Sequence, residues 1–143
     1  MAEQEQEIPG ILILTHGLFG QELIKSAEMI IGSQMHVTAI SLLPGMDLTE
    51  FMTAVKAALE ILPEESLILC DLFGGTPANV AAAVKIEYSV QAVAGVNLSM
   101  LIEACCQRLS LRGTSLTEAV TAAGSNGCRC LEIISAEEEE NII

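Results

Sequence analysis

Leu12-Ile13-Leu14-Thr15-His16-Gly17 decides how the rest of the chain is read. With Ile11 it opens on four consecutive apolar residues, the mark of a short strand covered on both faces. Thr15 and His16 follow at the carboxyl end of that strand. Gly17 permits a tight turn, and an amphipathic helix begins soon after. In an open parallel α/β sheet, ligands and chemistry gather at the carboxyl ends of the strands. His16 is therefore a candidate for catalysis or covalent transfer. The plainer alternative is a histidine satisfied by hydrogen bonds in a loop.

Working outward, the same pattern repeats. Leu23, Ile24, Ala27, Ile30 and Ile31 form the apolar stripe of a helix over residues 21–31, ended by Gly32. Residues 37–43 read as a second strand, with the isolated His36 before it. Pro44-Gly45 is a turn, and Asp47 is placed to cap a helix over 48–62, with Pro63 beyond it. Leu67-Ile68-Leu69-Cys70 is a third buried strand, and Asp71 stands at its end as His16 does on the first. Leu72-Phe73-Gly74-Gly75 turns the chain. Thr76 and Pro77 read as the cap and first residue of a helix reaching about Ile86. A strand over 90–94, helices over 98–109 and 115–123, a loop at 124–127 and a last strand over 128–134 complete the chain. Strands alternating with helices of about 10–15 residues predict right-handed crossovers and a doubly wound, mainly parallel sheet. The expected strand order is 2-1-3-4.

The chain has 143 residues, 51% of them apolar, enough for one domain with a true core. No apolar run approaches the roughly 18 residues of a membrane span. The acidic N-terminus lacks the features of a signal peptide, so a cytoplasmic location is expected. The expected layout is a tail over 1–9, a domain over 10–135 and an acidic tail over 136–143. A formal net charge of −13 speaks against nucleic acid and anionic membrane as partners. Cys70, Cys105, Cys106, Cys128 and Cys130 include no Cys-x-x-Cys pair, and there are two histidines, so no metal site is expected.

In the order 2-1-3-4, the first and third strands are neighbours and the topological switch point lies between their carboxyl ends. His16 and Asp71 then face each other across one crevice. A carboxylate that accepts from Nδ1–H fixes the histidine tautomer and leaves Nε2 as a free lone pair. It also favours transient positive charge on the ring, as in hydrolase triads. Cys70 should point to the opposite face, so the histidine itself is the candidate nucleophile. Gly74-Gly75-Thr76-Pro77 adds backbone N–H groups, a helix N-terminus and a hydroxyl to the same crevice, a setting suited to a phosphoryl group. The expected phosphate-binding set is Thr15, Gly74, Gly75 and Thr76. A tight turn with a capped helix, holding no ligand, is the alternative.

Gly10 to Asp47, carrying Thr15-His16-Gly17, the run Ser26 to Gly32 and Leu43-Pro44-Gly45-Met46-Asp47, resembles the enzyme IIA domain of the mannose family of the bacterial phosphotransferase system. So do the runs Asp71 to Asn79 and Ala94 to Leu101. The resemblance implies that His16 accepts a phosphoryl group on Nε2 from the histidine phosphocarrier protein and passes it to a IIB component. It implies that Asp71 orients the ring, that no cofactor is needed, and that the membrane IIC and IID components are reached only indirectly. It also implies a homodimer whose last strand, residues 128–134, is exchanged and joins the sheet antiparallel. The family often has Trp and Ser where this chain has Phe73 and Thr76, changes that keep the chemistry. A fused IIB domain is not expected. The phosphotransfer subunit of dihydroxyacetone kinase is a nearer rival, ranked lower because Pro44 to Asp47 and Gly74 to Asn79 fit the sugar-transport branch better. A non-catalytic regulatory α/β module is the more distant one.

Overall fold

A computed structural model describes residues 7–135. The acidic tail at 136–143 and most of the N-terminal tail expected at 1–9 lie outside the described residues. The elements run β1 (Ile11–His16), α1 (Phe19–Ile31), β2 (Val37–Leu42), α2 (Leu48–Ile61), β3 (Leu67–Cys70), α3 (Thr76–Val84), β4 (Gln91–Ala94), α4 (Leu98–Gln107) and α5 (Gly113–Gly127). The sheet has the order β2-β1-β3-β4 and every pairing is parallel, as the spacing predicts. Leu14 pairs with Cys70, so His16 and Asp71 leave the ends of adjacent strands side by side.

Alternation along the strands divides the interior into two layers. Ile11, Ile13, Leu67 and Leu69 pack with α1, α4 and α5, while Leu12, Leu14, Ile68 and Cys70 pack with α2 and α3. Each of these eight side chains is at most 1% exposed. Burial of one such aliphatic side chain is worth about 1.5–3 kcal/mol, which puts β1 and β3 at the centre of the core. The site stands on their ends.

The caps explain where the helices start. Asp47 accepts from the Glu50 N–H at 2.8 Å, as expected of an N-cap. Asn97 does the same for α4, accepting from the Met100 N–H at 2.9 Å. For α3 the expected cap is one residue off. Gly75 is the N-cap, Thr76 is the first helical residue, and Pro77 follows it. Pro77 keeps its place in the first turn, where a missing N–H costs nothing.

The end of the chain departs more. Gly124 and Gly127, read as a loop, lie inside α5. They are there for contact. A Cβ on Gly124 would stand 2.6 Å from Met100 Cγ, and one on Gly127 would collide with Ser99 Oγ. The two glycines let the end of α5 press against the start of α4, and Asn97 Nδ2 donates to the Gly124 carbonyl at 3.2 Å. Residues 128–135 therefore leave α5 at the same end of the sheet as His16. The strand expected over 128–134 is not formed within the single chain; Leu131 and Ile133 are fully exposed. A lone strand has no ladder to satisfy its backbone, so its formation requires an edge to join.

Candidate functional site

β1 and β3 place His16 and Asp71 in direct contact. Asp71 Oδ2 accepts twice from His16: from the backbone N–H at 2.9 Å and from Nδ1 at 2.9 Å. A carboxylate has no proton to give, so Nδ1 carries the hydrogen and Nε2 holds the lone pair. The double acceptance pins the backbone and the ring to one oxygen. The His16 side chain remains 48% exposed, while that of Asp71 is 13% exposed. The acceptor is thus shielded and the nucleophile is open. Asp71 Oδ1 is buried and has no donor among the described residues.

The ring lies against the β3–α3 turn. A Cβ on Gly75 would fall 2.9 Å from His16 Cε1 and 3.6 Å from Nε2, so only glycine admits the imidazole edge here. Gly75 adopts φ −78°, which any residue tolerates; its role is close approach. Its N–H is already donated to the Leu72 carbonyl at 3.1 Å. Gly74, at φ +83°, supplies the left-handed residue that closes the turn. Thr76 heads α3 directly after the Gly75 that touches the ring; Pro77 has no N–H, which leaves the N–H groups of Thr76 and Ala78 as the ones without an intrahelical partner. His16, Asp71, Gly74, Gly75 and Thr76 are therefore brought together.

Thr15 is not. It is fully buried, and its hydroxyl accepts from the Gly20 N–H at 2.9 Å and donates to the Gly17 carbonyl at 3.2 Å. Strand alternation turns it inward, where it caps α1 in place of Leu18, which gives no side-chain cap. Its contribution is to hold the turn after His16. His36 is exposed, at the opposite end of β2, in a left-handed turn at φ +56°. Cys70 points away from the crevice, as expected; its Sγ–H donates to the Pro77 carbonyl at 3.8 Å. Burial, and then the Asp71 charge, push its thiol up to about 12. It is no nucleophile at neutral pH.

Two features went unnoticed in the sequence. Leu18, Phe19, Leu43, Leu48, Leu72 and Phe73 are all exposed and all lie in the segments that follow the strands. They give the end of the sheet where His16 stands an apolar surface. Apolar residues standing in turns beside glycine were the available signal. The second feature is an open groove of about 560 Å³ along the free edge of β4, between α3 and α5. Its floor is mostly alanine, and Phe73 and Gly74 close its upper end.

A family model described as "PTS system fructose IIA component" matches residues 10–121. The chain belongs to this family. It is 36% identical over 105 residues to the PTS system fructose-specific EIIA component of Bacillus subtilis, covering 71% of this chain and 69% of that protein. It is 32% identical over 133 residues to the PTS system mannose-specific EIIAB component of Escherichia coli, covering 91% of this chain. The chain spans only 41% of that longer relative's length. Among solved structures, the phosphotransferase system component EIIA of Streptococcus agalactiae superposes with TM-score 0.80 at 33% identity, over 85% of this chain and 95% of that one. The mannose/sorbose-specific IIA subunit of Enterococcus faecalis does so with TM-score 0.80 at 27% identity, over 90% and 98%. The chain is thus a IIA component of the mannose/fructose type, a phosphotransferase family. Among the described residues no helix is long and apolar enough to cross a membrane.

Proposed function

We propose that this IIA component carries a phosphoryl group between two proteins on His16 Nε2. The observation that carries the reading is the double acceptance by Asp71 Oδ2, which leaves Nε2 as the free nucleophile of an anchored ring. In the accepting step the Nε2 lone pair attacks phosphorus in line, while the P–N bond to the histidine of the phosphocarrier protein breaks. In the donating step a nucleophilic side chain of a IIB component attacks phosphorus and forms the new bond, while the P–N bond at His16 breaks and its electron pair returns to Nε2. Asp71 stabilises the positive charge that develops on the ring. The Thr76 hydroxyl and the N–H groups at the head of α3 bind the phosphoryl oxygens. Positioning and charge stabilisation account for most of the catalysis of such transfers.

The apolar surface supports proteins as donor and acceptor. A small substrate needs a concave pocket, whereas the surface at the His16 end of the sheet is open and carries six large apolar residues. The acidic balance of the chain, −13, favours partners with a basic face. The protein acts as a homodimer in which residues 128–134 of each copy add antiparallel to β4 of the other, filling the alanine-floored groove with Leu131 and Ile133. Contact with the membrane IIC and IID components is through IIB alone.

Incubation with phosphoenolpyruvate, the first general enzyme of the system and the phosphocarrier protein tests the reading. Acid-labile, base-stable phosphate should appear on the wild type and on His36→Ala, and be lost on His16→Ala. Label persisting on His16→Ala would sink the assignment.

A further inference from the structure

A phosphoryl group on His16 brings about two negative charges to an acidic protein, and the cations of this chain are few. The sequence has six lysines and arginines. Lys25 pairs with Glu22 on α1, and Lys56 pairs with Glu87. Lys85 lies beyond the far end of α3 from the turn. Arg108 and Arg112 sit at the opposite end of the sheet from His16, donating to the carbonyls of Pro9 and Glu7. That leaves Arg129. It begins the exposed segment after α5, at the His16 end of the sheet, where its Nε donates to the Asn126 carbonyl at 2.6 Å.

The groove says where that segment goes. It runs beside β4 and is walled at its upper end by Phe73 and Gly74. Those residues form the outer side of the turn whose inner side, at Gly75, touches the His16 ring. In the segment, Leu131 and Ile133 are 97% and 104% exposed and share one face of a strand. Two bulky pegs with nothing around them match a floor made of Ala78, Ala81, Ala82 and Ala92. A segment entering from the His16 end and running antiparallel to β4 has Arg129 at its head, beside Phe73 and Gly74. Its backbone would stand about 14 Å from β1, three strand spacings away. The imidazole leans across part of this gap toward Gly75. A phosphoryl group on Nε2 and the long guanidinium arm span the rest.

We propose that Arg129 of a second copy completes the site, binding the phosphoryl oxygens over the Phe73–Gly75 turn, so that each subunit's His16 depends on the other's C-terminal segment. The proposal rests on the phosphoryl-carrier and dimer readings above. It adds a catalytic arginine supplied in trans. The second copy is the occupant because each segment leaves its own groove empty, with both pegs bare. A planar guanidinium suits two phosphoryl oxygens at once.

The test uses the full chain. Arg129→Gln should remain a dimer in sedimentation, since the side chain is exposed and Leu131 and Ile133 are intact. Its kcat for uptake from the phosphorylated phosphocarrier should fall about a hundredfold, with KM moving by less than about twofold. Arg129→Lys should recover part of the loss. Mixing Arg129→Gln with His16→Ala should restore transfer, because mixed dimers join an intact His16 to an intact Arg129. A wild-type rate in Arg129→Gln overturns the proposal. So does a rise confined to KM, which assigns the arginine to docking the phosphocarrier. So does a loss that mixing cannot repair, which puts the arginine in its own subunit, and so does a wild type that sediments as a monomer. A wild-type dimer that takes up no phosphate is a different failure: it removes the carrier function itself, and the arginine's role falls with it.

Discussion

At the residue scale the unusual feature is one carboxylate oxygen serving two donors of the same histidine. Asp71 Oδ2 holds both the N–H and Nδ1 of His16 at 2.9 Å, so rotating the ring away costs a charge-assisted hydrogen bond. Asp71→Asn keeps the size of the side chain but not its charge; its oxygen can hold the backbone contact, and if it turns over, its NH₂ meets Nδ1 at the expense of that contact. Folding should lose no more than about 1–2 kcal/mol. Transfer should fall by about a thousandfold or more, because the orienter of a comparable catalytic histidine is worth orders of magnitude. Nitrogen-15 NMR of His16 separates this from a general loss of structure. The wild type should show Nδ1 protonated, and Asp71→Asn should show a mixture of tautomers. An unchanged tautomer with an unchanged rate would make Asp71 a turn residue only.

At the scale of elements, α5 shows how a helix breaker can be a packing device. Gly124→Ala and Gly127→Ala both raise helix propensity by up to about 1 kcal/mol. The new methyl at 124 meets the flexible thioether of Met100, which can turn aside. The methyl at 127 meets Ser99 Oγ and Cβ, and the latter moves only with the backbone of α4. Gly124→Ala should therefore be close to neutral in urea denaturation. Gly127→Ala should cost about 1–2 kcal/mol, the usual scale of overpacking. The reverse order would mean that the end of α5 does not press on α4. Arg108, at the end of α4, is a structural element of its own. Its guanidinium is buried, donates to Pro9 and Gln34, and ties α4 to the chain entering β1.

For the whole molecule, the proposed dimer pairs the edge of β4 with the exposed segment 128–134. An exposed strand edge beside apolar side chains invites pairing, and a symmetric exchange pairs it while closing the assembly at two copies. Removing residues 128–143 should yield monomer or aggregate in sedimentation; a well-folded dimer would refute exchange. The cysteines report the same event chemically. Cys70, with its thiol pushed up to about 12 by burial and the Asp71 charge, stays protonated at pH 8 and should resist maleimide. Cys105 is also buried, and burial raises its thiol. Cys106, Cys128 and Cys130 are exposed in the single chain. Mass spectrometry after brief labelling should find Cys106 modified at all protein concentrations. Cys128 and Cys130 should be slowed as the concentration rises and the dimer forms.

The strand order, the two-layer core and the meeting of His16 with Asp71 were legible in the sequence because they rest on local patterns. Short apolar runs between amphipathic helices leave few topologies open, and the switch point follows from strand order. The glycine-rich turn was legible for the same reason, although its cap is Gly75 and not Thr76. The direction of the Thr15 hydroxyl was not, because it depends on strand alternation continuing one residue past the apolar run. The place of Gly124 and Gly127 was not, because a glycine that breaks a helix and one that lets two helices touch look alike until the neighbour is known. Nor was the groove at β4, whose walls come from α3, β4 and α5, with lining residues spread from Cys70 to Thr121. A sequence records what each residue is; which residues share a surface is settled by the packing of distant segments, and here that packing alone brings the end of α5 against the start of α4, at the end of the sheet where His16 stands.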